Sequence, residues 1–325
     1  MKDVLLNPVL DRYALYVIYG AMALYTVAFL VFVWHLSRLS STSKKMQKTA
    51  APLELAGLVI LGLSAALHGA GVVMRGIAAA RVPWANMYEF SITGSFVIVA
   101  IFLGAWFVKE IRVIAVLVTA FALLVLGAAT TVFYVQVKTL MPALQSYWLV
   151  IHVTVAVLAT AFFNIAAALA VAFLLRNWGW LNNSNSKALQ LVKRVLSVFP
   201  ESKKLESLSY RFNMIGFILW TFTLAAGAIW AERAWHRFWG WDTKEVWTFI
   251  IWTIYAGYLH ATATRGWSGK RAAWLASPEP RGRHGMAVPP GSPYTRRLKT
   301  ERNPNVRDLV AAHRHPCRRF DPHGR

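Results

Sequence analysis

The sequence predicts an all-α, polytopic helical bundle in a membrane. Three observations carry that prediction. Apolar residues make up 57% of the chain and mean hydropathy is +0.43, where a soluble domain holds about 45–50% apolar residues. Charged residues make up only 15%, against about 25% in an average chain. The apolar residues gather in continuous runs, which fit membrane helices, rather than in the alternating pattern of a barrel.

A span needs about 20 mostly apolar residues. Seven runs approach or exceed that length, near 13–36, 52–74, 88–108, 111–133, 147–176, 208–232 and 246–264. The first follows Asp3 and Asp11 and lacks a small-residue cleavage site, so it reads as a retained helix rather than a signal peptide. No internal repeat is visible.

The loops set the orientation. Arg38, Lys44, Lys45 and Lys48 follow the first span. Lys109 and Arg112 bracket the turn between the third and fourth, and Lys187, Lys193, Arg194, Lys203 and Lys204 fill the loop before the sixth. Arg265, Lys270 and Arg271 follow the seventh. Loops 75–87 and 134–146 are less basic. The positive-inside rule puts the basic loops in the cytoplasm, and hence the N-terminus and the loop around Trp239 outside a plasma membrane. It also accounts for the net charge of +21 without nucleic acid as a partner. A single cysteine, Cys317, excludes a disulfide framework, a zinc cluster or a thiol redox motif within the chain.

The composition changes near residue 277, dividing the chain into a membrane domain, 1–276, and a basic tail, 277–325. The tail is rich in Pro, Arg, Gly and His without apolar periodicity, which predicts disorder. It starts where "GKRAAWLA" opens what looks like an eighth helix. A frameshift in GC-rich DNA would give that composition. His313, His315 and Cys317 in the tail are a weak metal-like cluster.

Charges and aromatics converge on "FWGWDTKEVW", Phe238 to Trp247. Trp230, Trp235, Trp239, Trp241, Trp247 and Trp252 cluster on one hairpin. One reading is an interfacial aromatic belt. Asp242 then caps the following helix, with Glu245 three residues on as an acidic capping box. The other reading is a flat platform of stacked indoles for a planar aromatic ligand, of which haem is the obvious one.

Histidines test the second reading, because a porphyrin iron needs axial ligands. His35, His68, His152 and His260 fall in or at the ends of spans, and ionisable residues inside a membrane are functional candidates. For any lone one, a neutral histidine bonded to a neighbouring helix is the commoner case. His152 lies about 8 Å inside the outer end of the fifth span, and His68 about 9 Å inside the second. His260 lies 15 positions after Glu245, so about 22 Å down the last helix. His152 and His260 cannot share one iron. If both bind haem, two sites at different depths suggest outward transit. His35 reads as a snorkelling interfacial residue, and His236, in the tryptophan loop itself, is placed to ligate or to do nothing.

With these residues in view, the chain resembles the CcsA (ResC) family of cytochrome c biogenesis proteins. "GAIWAERAWHRFWGWDTKEVWTFIIWTIYAGYLH", 227–260, is similar to the family's WWD segment and following helix. "MPALQSYWLVIHV" is similar to the segment carrying an external histidine, and "LHGAGVVMRGIAAARVPWANMYEF" to its N-terminal helix and loop. The resemblance implies a subunit of a cytochrome c synthase (haem lyase). With a CcsB/ResB-type membrane partner it would carry haem b outward and present it to Cys-x-x-Cys-His apocytochrome c, with thiol-reducing proteins as further partners. It implies His152 and His260 as haem-iron ligands. It also implies Trp239, Trp241 and Asp242 as the WWD core. Trp235 and Trp247 are further candidate cofactor-binding residues, as is His68, whose depth fits either a neighbour of the outer site or a packing role. His236, Phe238 and Thr243 stand where the family commonly has Gly, Tyr and Pro. The family also expects an eighth span and a second external histidine, where this chain has its basic tail.

Two other functions compete. A secondary transporter of another solute would use His152 and His260 as proton-relay residues, but paired broken helices are not evident. The product of a damaged gene would keep the fold and lack activity.

Overall fold

A computed structural model describes residues 6–139, 146–177 and 187–264. Among them every regular element is helical: α1 (Pro8–Leu39), α2 (Lys44–Lys48), α3 (Ala50–Ala79), α4 (Met87–Gly104), a 3₁₀ turn (Lys109–Ile114), α5 (Ala115–Thr131), α6 (Tyr147–Arg176), α7 (Lys187–Ser197), α8 (Ser202–Trp235) and α9 (Thr243–Ala263). The tail, the "GKRAAWLA" stretch and the expected boundary at 277 lie outside the described residues.

Local chemistry sets the helix ends. Asn7 caps α1 through a 2.9 Å bond from the Leu10 amide, with Pro8 in the first turn. Asn86 caps α4 in the same way, bonding the Glu89 amide at 2.9 Å. Helix α3 ends on Ala80 and α8 on His236, both left-handed. α1 has 32 residues and α8 has 34, so each is roughly 50 Å long. Both outrun a hydrocarbon core of about 30 Å, which is why they exceed their apolar runs.

Among the described residues, six stretches are long and apolar enough to cross a membrane: α1, α2 with α3, α4, the Lys109–Thr131 stretch, α6 and α8. The chain is a multi-pass membrane protein. The seventh expected span forms α9, whose 21 residues are long enough but not apolar enough by the same measure. Four threonines, two tryptophans, two tyrosines and His260 dilute its aliphatic residues.

Helix α1 lies along α3, and α6 along α8. Helices α4 and α5 join the two pairs, and one continuous core runs from Ile18 through Ile92 and Leu126 to Leu169. Helix α9 packs mainly on α8 and reaches α6 where Tyr255 stacks on Phe163, ring centroids 3.8 Å apart. Trp220 Nε1 donates to the Thr248 carbonyl at 3.1 Å, and Trp252 Nε1 to Thr221 Oγ1 at 3.0 Å. These contacts fix the helix that follows the tryptophan loop.

One end of the bundle gathers the basic residues. There Arg112 pairs with Glu54 at 2.9 Å, Lys204 pairs with Glu110, and His35 Nδ1 bonds the Ala50 carbonyl at 2.9 Å. His35 therefore pins the α1–α3 crossing rather than snorkelling. The loop expected before the sixth span contains α7, which delivers Leu196 to the main core, followed by Phe199.

At the opposite end lies a buried ionic cluster that reading charges one by one did not reveal. Arg75 is fully buried. Its Nη1 donates to Asp11, and its Nε and Nη2 donate to Glu89 Oε1 at 3.1 and 2.9 Å. Nη2 also donates to the Val135 carbonyl at 2.9 Å. Arg81 completes the pairing, donating to Glu89 Oε2 at 2.6 Å. Two carboxylates face two guanidiniums, so the cluster is neutral overall and largely satisfied, as burial of charge requires. It ties α1, α3, α4 and the chain leaving α5 into one unit.

Candidate functional site

The tryptophan loop sits at that same end, and beneath it opens a cavity of about 430 Å³. That volume falls within the range of about 300–1,000 Å³ for small-molecule sites. Helix α6 contributes His152. Helix α8 contributes Thr223, Gly227, Trp230 and Trp235, and the loop with the start of α9 contributes Arg237, Phe238, Trp239, Asp242, Lys244 and Glu245.

His152 is the organising residue. Ser146 caps α6, accepting from the Trp148 amide at 3.2 Å, and His152 follows in the second turn. Its Nδ1 lies 3.0 Å from the Thr223 carbonyl oxygen on α8. A carbonyl only accepts, so Nδ1 carries the proton. Nε2 then keeps its lone pair and has no partner among the described residues. A histidine whose other nitrogen donates to a backbone carbonyl is the usual arrangement of a metal ligand.

The backbone of α8 makes room for that ring. A Cβ at Gly227 would lie 3.1 Å from His152 Nδ1 and 2.8 Å from Cε1, the latter closer than real Cβ contacts come. Thr223, Gly227 and Trp230 recur at helical spacing, so one face of α8 holds the hydrogen-bond acceptor, the gap and the next wall. Trp230 runs nearly parallel to the His152 ring, with centroids 6.5 Å apart at 9°. Its Nε1 is buried without a partner. Arg233, in the last turn of α8, donates to Tyr147 Oη at 2.9 Å and lies over the Trp148 ring. This clamp holds the first turn of α6 against α8.

The loop is held from below. The acidic capping box expected from the sequence forms: Asp242 Oδ1 accepts from the Glu245 amide at 3.0 Å, and Glu245 Oε2 accepts from the Asp242 amide at 3.4 Å. Glu245 Oε2 also accepts from the Gly240 amide at 2.6 Å. Both carboxylates are thus engaged by main-chain amides. His236 and Trp241 take left-handed backbone, φ 55° and 56°. Such strain in non-glycine residues concentrates at functional sites.

The indoles do not form the flat platform expected of them. Trp230 and Trp235 meet at 85°, and Trp239 and Trp241 at 87°. Edge-to-face contact is the preferred geometry of neighbouring aromatic quadrupoles, and it turns the tryptophans into walls. Of the residues the sequence singled out, His152, Trp235, Trp239 and Asp242 line the cavity. Trp241, 75% exposed, and Trp247, 59% exposed, do not. His236, the exposed cap of α8, does not either.

The structure places the remaining histidines elsewhere. His68 is fully buried in the core between α1, α3 and α4. Its Nδ1 lies 3.2 Å from Tyr25 Oη and its ring meets Phe96 edge-on. Its Nε2 makes no hydrogen bond of ordinary geometry, although the Ile92 carbonyl is close enough to interact. His260 is exposed in the last turn of α9, about 22 Å from Glu245 along the helix. Among the described residues, no group of three or more His, Cys, Asp or Glu could hold a metal ion by itself. Trp230, one of the tryptophan cluster, also lines the cavity, whereas Thr223, Gly227, Arg237 and Lys244 escaped the sequence reading as site residues, although the spacing on α8 was visible.

The family model described as cytochrome C assembly protein matches residues 84–278. A cytochrome c biogenesis protein CcsA from Prochlorococcus marinus is 35% identical over 228 residues, covering 63% of this chain and 71% of the relative. The CcsA of Microcystis aeruginosa is 31% identical over 262 residues, covering 68% and 79%. That of a Synechococcus species is 38% identical over 165 residues, covering 44% and 52%. The matched stretch contains α6, α8, α9 and the whole cavity, and the chain belongs to the cytochrome c assembly protein family.

Proposed function

We propose that this chain acts in cytochrome c biogenesis, as a haem-handling subunit of a cytochrome c synthase. It works with a CcsB/ResB-type membrane partner and takes haem b as its cargo. The basic end of the bundle faces the cytoplasm by the positive-inside rule. That puts the tryptophan-loop cavity at the outer face of the plasma membrane, where Cys-x-x-Cys-His apocytochromes would meet it.

One observation carries the reading. His152 is held by the Thr223 carbonyl so that Nε2 remains unpartnered in the ring that lines the cavity. The surroundings fit a tetrapyrrole in three further ways. Trp230, Trp235, Trp239 and Phe238 give apolar walls. Gly227 leaves the gap in which the imidazole lies. Trp230 Nε1 is a buried donor without an acceptor. Bound haem supplies the iron for His152 and the vinyl groups across which two cysteine S–H bonds add. The chain's own part is to fix the tautomer of His152, exclude water with indoles, and hold the loop through Asp242 and Glu245. His260, at the other end of α9, is proposed as a ligand at a second, inner site completed by the partner.

The test is complementation of a strain deficient in cytochrome c maturation. His152→Ala lowers bound haem and mature cytochrome together. Normal maturation by that variant would reject the ligand role.

A further inference from the structure

The cavity holds four charged side chains, and their bonding is lopsided. Asp242 and Glu245 spend their carboxylates on main-chain amides of the loop and of α9. Arg237 and Lys244 line the same cavity, yet neither enters an ion pair among the described residues. Asp242 and Glu245 keep their charges, so the lining is neutral overall, while the exposed Arg237 and Lys244 are its two cations without an anionic partner among the described residues.

Arg237 is also seated. Its guanidinium lies directly over Gly240, where a Cβ would overlap Cζ and both Nη atoms. The Gly240 amide is fixed in turn by Glu245 Oε2 at 2.6 Å. The capping box that starts α9 thus also sets the floor on which this cation rests. A planar guanidinium presents paired donors that match a carboxylate. An unpaired one beside an apolar, aromatic-walled cavity calls for a ligand that is flat and apolar in its body and anionic at its edge.

We propose that Arg237, seated on Gly240 and assisted by Lys244, anchors the carboxylate side chains of the bound tetrapyrrole. This rests on the haem reading above and deepens it. His152 then selects for the metal, while Arg237 selects for the free acid edge and fixes which edge of the macrocycle turns toward the loop.

The experiment is equilibrium binding to the purified full-length chain in mild detergent, followed by absorption. The probes are ferric protoporphyrin IX and its dimethyl ester, in which both carboxylates are masked. The ratio of the two affinities is compared between wild type and variants, so that partition into detergent cancels. The wild type is expected to favour the free acid by about tenfold, the scale of one charge-assisted contact. Arg237→Ala and Gly240→Ala should each bring the ratio down toward that of a site without the anchor. Arg237→Lys should keep part of the preference. A ratio in Arg237→Ala equal to that of the wild type would overturn the anchor and leave the haem site standing. Failure of the wild type to bind either probe would overturn both.

Discussion

The Nδ1 of His152 lies 3.0 Å from the main-chain carbonyl of Thr223. A main-chain acceptor cannot be lost to substitution, so the orientation of the ring is built into the backbone of α8. The site then depends on how closely α6 and α8 approach, and the residues that set this approach are as consequential as the histidine.

Gly227 tests that dependence. In Gly227→Ala the new Cβ would lie 2.8 Å from His152 Cε1 and would push the ring off the Thr223 carbonyl. Haem affinity should fall about tenfold or more, the usual cost of losing a partner that orients a metal ligand. Helical content should be unchanged. Gly216→Ala is the control, because it crowds the same helix pair at Phe163 instead. Equal haem loss in both variants would point to general packing rather than to the ring. Haem titration with circular dichroism separates these outcomes.

Asp242 lines the cavity and also caps α9. If the cap is its role, Asp242→Asn should retain haem binding and stability, because the amide oxygen still accepts from Glu245. Asp242→Ala should lose about 1 kcal/mol of stability and part of the haem affinity, as the loop loosens. A large loss in Asp242→Asn would show that the negative charge itself acts on the ligand. Unfolding midpoints in detergent, measured beside the haem titration, decide this.

Removing Arg75 leaves the carboxylates of Asp11 and Glu89 buried with one guanidinium fewer. Arg75→Met should therefore destabilise the fold by about 3–5 kcal/mol. It also frees the Val135 carbonyl and loosens the segment leading toward α6. Thermal unfolding with and without haem is the measurement. A midpoint within error of the wild type would show that the cluster contributes nothing net.

His236 closes α8 in left-handed backbone. A Cβ in that conformation costs roughly 1–2 kcal/mol, which glycine avoids. His236→Gly is expected to raise stability by about 1 kcal/mol with haem binding unchanged, because His236 does not line the cavity. Loss of haem in this variant would instead assign the side chain a ligand role.

Several of these relationships were legible in the sequence. Continuous apolar runs gave the helices, the three-residue step from Asp242 to Glu245 gave the capping box, and a histidine inside a span gave His152. Each depends on spacing along the chain alone. The tilt of Trp239 against Trp241 and of Trp230 against Trp235 was not legible, because it follows from tertiary contact. Arg75 was missed because its partners, Asp11 and Glu89, lie 64 and 14 positions away. In the sequence all three read as flanks of separate spans. Arg237 was not legible as a site residue because its seat over Gly240 exists only in the folded loop.

The most direct test is the absorption spectrum of the purified chain with its membrane partner, oxidised and reduced, for the wild type and His152→Ala. The account predicts a Soret band and b-type reduced bands in the wild type. In His152→Ala, at equal helical content, it predicts loss or a marked shift of the bands belonging to the tryptophan-loop site. Identical spectra would contradict it.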